Sequence, residues 1–85
     1  MIQVQLRYFA SLREAFGPGQ RVELPDGSTL ATLRDQLLAS GGRHAELLAR
    51  GRAVRCAVDK VMAADESGVL ADGAEVAFFP PVTGG

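Results

Sequence analysis

The sequence predicts an α+β domain in which one main helix covers one face of a sheet. Three observations carry this reading. The chain opens with strict alternation, Ile2, Val4, Leu6 and Tyr8 interleaved with Gln3, Gln5, Arg7 and Phe9, the period of a half-buried strand. In the middle, Leu30, Leu33, Leu37 and Leu38 recur at helical spacing behind the polar starters Ser28 and Thr29. Toward the end, "AVRCAV" and "AEVAFF" return to period two.

The elements follow in order. After the first strand, Ser11 and Glu14 stand at capping-box spacing, which predicts a short helix to Phe16, closed by Gly17, Pro18 and Gly19. "RVELP" is a second strand with Val22 and Leu24 on one face, turned by Pro25-Asp26-Gly27. The leucine-rich helix is the longest, and Gly41 and Gly42 close it. Residues 43–51 read as a helical turn and a loop. A third strand places Val54, Cys56 and Val58 on one face. Asp59-Lys60 turns, Val61-Met62 is positioned to pair back, and "ADESG" is loop. Asp72-Gly73 precedes the last strand. No linker, repeat or low-complexity tract interrupts the chain.

Composition excludes several functions. At 85 residues with 47% hydrophobic and 22% charged content, the chain suits one domain, burying about 60–65% of its unfolded surface. A net charge of −1 with no run of like charge gives no footprint for a nucleic-acid backbone. No apolar stretch is long enough to span a bilayer, and the opening residues alternate where a signal peptide would be continuously apolar. The expectation is a cytoplasmic protein without nucleic-acid or membrane partners.

No catalytic set or metal site is expected. "GPGQRV" is not a dinucleotide fingerprint, and no Gly-Lys-Ser/Thr phosphate loop occurs. His44 and Glu46 form His-x-Glu without the paired cysteines of a deaminase zinc site; His44 reads as a solvated loop residue. The single cysteine, Cys56, alternates in phase with Val54 and Val58 and reads as a small buried hydrophobe. Asp65 and Glu66 read as a solvated turn.

Parity separates two faces. If the helix covers the Ile2/Val4/Val76/Phe78 face, Phe9 and Phe79 look outward, joined by Met62. Aromatic residues gathered beside the chain end point to a partner-docking patch.

The end itself, "AEVAFFPPVTGG", sets two bare glycines behind a stiff apolar segment. The segment "LADGAEVAFFPPVTGG", with "MIQVQLRYFASLREAFG" and "STLATLRDQLLA", resembles the MoaD family, the sulfur-carrying small subunits of molybdopterin synthase, over nearly the whole chain. The resemblance implies a β-grasp (ubiquitin-like) fold: a mixed sheet with one main helix on one face, spanning residues 1–81, and a flexible Gly-Gly tail at 82–85. Two departures are Asp59, where such proteins often carry Asn in the turn, and a slightly longer loop at Ala63–Gly68.

The resemblance also implies a chemistry. A terminal carboxylate is a poor electrophile and must be activated before sulfur can replace its oxygen. An ATP-dependent adenylating enzyme would form an acyl-adenylate at Gly85, and persulfide-derived sulfur would convert it to a thiocarboxylate. The large subunit, in a heterotetramer, would then pass that sulfur to a pterin precursor. The chain would bind no cofactor of its own and would not be catalytic alone. Pro80, Pro81, Val82, Thr83 and Gly84 would enter the partner's channel, where glycine without Cβ lets walls close on the backbone. Phe9, Met62 and Phe79 fall at the family's docking surface. Related readings are a carrier supplying thiamine, cysteine or tRNA thiolation, a ubiquitin-like modifier joined to lysines through Gly85, and an inert β-grasp module.

Overall fold

The computed structural model describes residues 1–48 and 54–80. It runs β1 (Ile2–Tyr8), α1 (Ala10–Phe16), β2 (Gly19–Leu24), α2 (Leu30–Ala39), α3 (Gly42–Leu47), β3 (Arg55–Val58), β4 (Val61–Met62) and β5 (Glu75–Phe79). The five strands form one mixed sheet in the order β2-β1-β5-β3-β4. β1 pairs antiparallel with β2 and parallel with β5, and β5 pairs antiparallel with β3. The last strand in sequence is therefore the central one.

Strand parity is as the alternation requires. Ile2, Val4, Leu6 and Tyr8 are buried while Gln3, Gln5 and Arg7 are exposed. Val76 and Phe78 of β5 join them in a core with Leu24, Leu30, Leu33, Leu37 and Cys56. The leucine stripe of α2 closes this face, which settles which side of the sheet is inside. Tyr8 lies with its ring centroid 4.9 Å from Phe16 and 6.3 Å from Phe78, and its hydroxyl accepts from the Gln20 amide at 3.4 Å.

α2 begins with a reciprocal cap. The Thr32 N–H donates to Thr29 Oγ1 at 3.3 Å and the Thr29 N–H donates to Thr32 Oγ1 at 3.2 Å, satisfying two otherwise unpaired donors. Ser28, one residue earlier, is buried and donates its hydroxyl to the Pro25 carbonyl at 2.6 Å. At the other end, Gly41 and Gly42 hold φ of 71° and 58°, a left-handed passage that glycine makes cheaply.

Three expectations are corrected. Ser11 and Glu14 do not cap α1, because the helix starts earlier, with Phe9 at its N-cap and no side-chain cap. The Phe9 carbonyl accepts from the Leu12 and Arg13 N–H groups, so the chain turns into helix directly from the sheet. His44 is not a solvated loop residue: it lies in α3, half-buried, stacked on Phe16 with centroids 4.2 Å apart and planes at 12°. Glu66 is not part of a solvated turn, since it pairs with the buried Arg34 at 2.8 Å. Its neighbour Asp65 is exposed and accepts from Ser67.

Candidate functional site

The face of the sheet away from α2 carries the candidate site, and register fixes its layout. Arg7 on β1 is level with Ala77 on β5, Ala77 with Ala57 on β3, and Ala57 with Met62 on β4. Residues level across a sheet share a face, so these four form one row. The next row holds Phe79 of β5 opposite Arg55 of β3. Phe9 extends that row beyond β1, its N–H donating to the Phe78 carbonyl at 3.2 Å.

Parallel pairing of β1 with β5 is what brings Phe9 beside Phe79, because the two strands end at the same edge of the sheet. Phe9 is 42% exposed and Met62 51%; Phe79 is half-buried. The structure thus places Phe9, Met62 and Phe79 on one face, around the alanines Ala57 and Ala77. Ala57 is buried and Ala77 half-buried, so the floor between the larger side chains is apolar.

β5 leads in sequence straight into the terminal segment. Pro80 is half-buried at the end of the described chain. Pro81, Val82, Thr83, Gly84 and Gly85, and with them the boundary set at residue 82, lie outside the described residues.

The turn before β4 is tied to the same central strand. Asp59 and Lys60 take φ of 49° and 71°, the left-handed pair of a two-residue hairpin. The Asp59 carboxylate accepts from the Glu75 N–H at 2.9 Å, and the Asp59 N–H donates to the Glu75 carbonyl at 2.8 Å. An acceptor oxygen is what this position uses, and Asp supplies it as Asn would.

Cys56 lies on the opposite, core side. Burial pushes its thiol from the ordinary 9.0 up to about 11, the nearby Arg34 cation only partly offsetting the desolvation. A thiol held protonated is a poor nucleophile. Among the described residues no cluster of His, Cys, Asp or Glu could hold a metal ion, and no helix is long and apolar enough to cross a membrane.

Sequence reasoning missed Arg34. It is 5% exposed and donates through Nε to the Leu48 carbonyl at 2.7 Å and through a terminal nitrogen to Glu66 at 2.8 Å. Its position four residues after Leu30, on the leucine stripe, was the available signal.

A mixed sheet with its last strand central and a helix across one face defines the ubiquitin-like β-grasp class. The chain belongs to the ThiS family, whose model matches residues 6–85. It is 39% identical to a molybdopterin synthase sulfur carrier subunit of Mycobacterium tuberculosis over 100% of both chains. To the Escherichia coli protein of the same description it is 35% identical, over 96% of this chain and 99% of that one. The fold also matches a chain in the complex of subunits 1 and 2 of the molybdopterin-converting factor of Helicobacter pylori. There the TM-score is 0.72 at 24% identity, over 99% of this chain and 100% of that one.

Proposed function

We propose that this chain is the sulfur carrier subunit of a molybdopterin synthase, bearing the transferred sulfur on the carboxyl carbon of Gly85. The observation that carries the reading is full-length likeness to sulfur carrier subunits of that synthase, joined to a central strand that runs into "PPVTGG". An activating enzyme transfers AMP from ATP to the Gly85 carboxylate, releasing pyrophosphate. The outer sulfur of a persulfide on a sulfur-donor protein displaces AMP from the acyl-adenylate to form an acyl disulfide. A second thiol, acting as the two-electron reductant, cleaves that S–S bond to release the thiocarboxylate and leave a disulfide behind. In the large subunit that sulfur passes to a pterin precursor, and water hydrolyses the bond between the sulfur and the Gly85 carbonyl carbon to restore the carboxylate.

The chain's own contribution is delivery. Pro80 and Pro81 stiffen the exit from the sheet, which limits the entropy lost on insertion, about 1–2 kcal/mol for each residue ordered. Five residues from Pro81 reach at most roughly 17 Å when extended, and Gly84 and Gly85 admit close channel walls. Phe9, Met62 and Phe79 dock on the partner while the tail is engaged. The setting is cytoplasmic, ATP enters with the activating partner, and the chain is not catalytic alone.

Mass spectrometry of the protein isolated from cells tests this. Oxygen-to-sulfur exchange at Gly85 is the expected result. Lysine-linked adducts would instead establish a modifier, and a terminus that is never modified would establish an inert module. Sulfur transfer that survives a permanent carboxyl-terminal tag would overturn the carrier reading.

A further inference from the structure

The chain carries a net charge of −1, yet both strands beside the carboxyl end of β5 present arginine on the outer face. Arg55 of β3 stands opposite Phe79, and Arg7 of β1 stands level with Ala77. With neighbouring strands about 4.8 Å apart, the two arginines flank β5 across about 10 Å of sheet. Arg7 has one long contact, to Glu75 at 3.7 Å, with its own side chain 52% exposed. Arg55 is exposed and makes no ion pair among the described residues.

An apolar floor of buried Ala57 and half-buried Ala77, with Arg55 unpaired among the described residues and Arg7 held only by its long contact to Glu75, is an arrangement that favours a partner of matching polarity. Arginine stacks and pairs at interfaces with less desolvation cost than lysine. Resting on the docking reading above, we infer that the partner surface meeting this face is apolar at its centre and carries carboxylates opposite Arg55 and Arg7. Its approach is then steered by charge, with the apolar centre holding the complex once formed. The carboxylate on β5 beside these arginines, Glu75, is already in contact with Arg7, so the expected occupant is a different protein that brings its own carboxylates.

Stopped-flow association with the cognate molybdopterin synthase large subunit separates the two contributions. Salt is varied from about 0.01 M to about 1 M, over which the screening length falls from about 30 Å to about 3 Å. The wild-type association rate should fall steeply with salt. Arg55→Glu should associate about tenfold more slowly at low salt and lose most of the salt slope, with little change in dissociation. Arg7→Glu should act in the same direction, and circular dichroism should show both variants folded. Phe79→Ala should do the reverse, dissociating faster while keeping the salt slope. An Arg55→Glu protein that associates as fast as wild type at low salt would overturn the inference, as would a wild-type rate indifferent to salt. Self-association through this face would overturn it as well. Absence of any wild-type complex would overturn the functional reading together with it.

Discussion

Arg34 on α2 and Glu66 in the loop after β4 meet at 2.8 Å, one side chain 6% exposed and the other 25%. With the Nε bond to the Leu48 carbonyl, one guanidinium joins the helix, the end of α3 and the loop that returns toward β5. The same loop supplies the Glu66 and Gly68 carbonyls that accept from Ala31 and Leu30 at the start of α2.

Removing Glu66 should therefore cost more than a surface acid would. Glu66→Ala leaves a buried cation short of one partner, and a loss of about 1–3 kcal/mol is expected, less than for a fully buried pair because Glu66 reaches water. Arg34→Ala should cost at least as much, since it also vacates core space. Urea unfolding of the two single variants and the double variant measures the coupling, and additive losses would show that the pair is independent.

Phe78 and Phe79 are adjacent but should respond oppositely. Phe78 is fully buried, so Phe78→Ala should lose about 3–5 kcal/mol, and Phe78→Arg should not fold. Phe79→Arg should keep most of the stability and lose partner binding, where an aromatic anchor is often worth ~2 kcal/mol or more. Thermal melts and a binding titration on the same preparations check both halves.

Cys56 gives a pH signature. Its folded pKa is raised, so the unfolded chain gives up the thiol proton first. The stability held below pH 9.0 should then fall as pH rises toward about 11, by on the order of 2 kcal/mol across the window. Comparing the pH dependence of unfolding for wild type and Cys56→Ala isolates this part from the raised pKa of buried Tyr8. Cys56→Ala should also retain single-turnover sulfur transfer, at a stability cost on the order of 1 kcal/mol. Transfer lost from the folded variant would place the sulfur on the thiol.

Gly19 should be the least replaceable described glycine. A Cβ there would collide with the Leu6 carbonyl, in the backbone of the neighbouring strand where no side chain can swing away. Gly19→Ala should cost 2 kcal/mol or more, by order of magnitude, as an overpacked site does. Gly68→Ala meets nothing within 4 Å and serves as a near-neutral control. Equal melting temperatures for the two would show that β1 and β2 separate easily.

Strand parity was legible because burial on one face writes a period of two directly into the residues, as at Ile2, Val4, Leu6 and Tyr8. The outward placing of Phe9 and Phe79 was readable for the same reason: both fall out of phase with the core. What could not be read depends on distant partners. Nothing local to His44 announces Phe16, and nothing local to Glu66 announces Arg34. Ser11 and Glu14 had the right spacing for a cap, but Phe9, fixed beside β5 through its N–H, opened the helix earlier with its carbonyl. The glycine tail was legible only as chemistry and resemblance.

The central placing of β5 has a mechanical consequence. A pull along its carboxyl end would be borne by hydrogen bonds to β1 and β3 together, loaded lengthwise and sharing the force. An edge strand such as β4 would instead be peeled away, one bond breaking after another. A partner gripping the last residues could draw hard on this domain without unravelling it, so the strand that leads to the glycines is also a firm handle on the molecule.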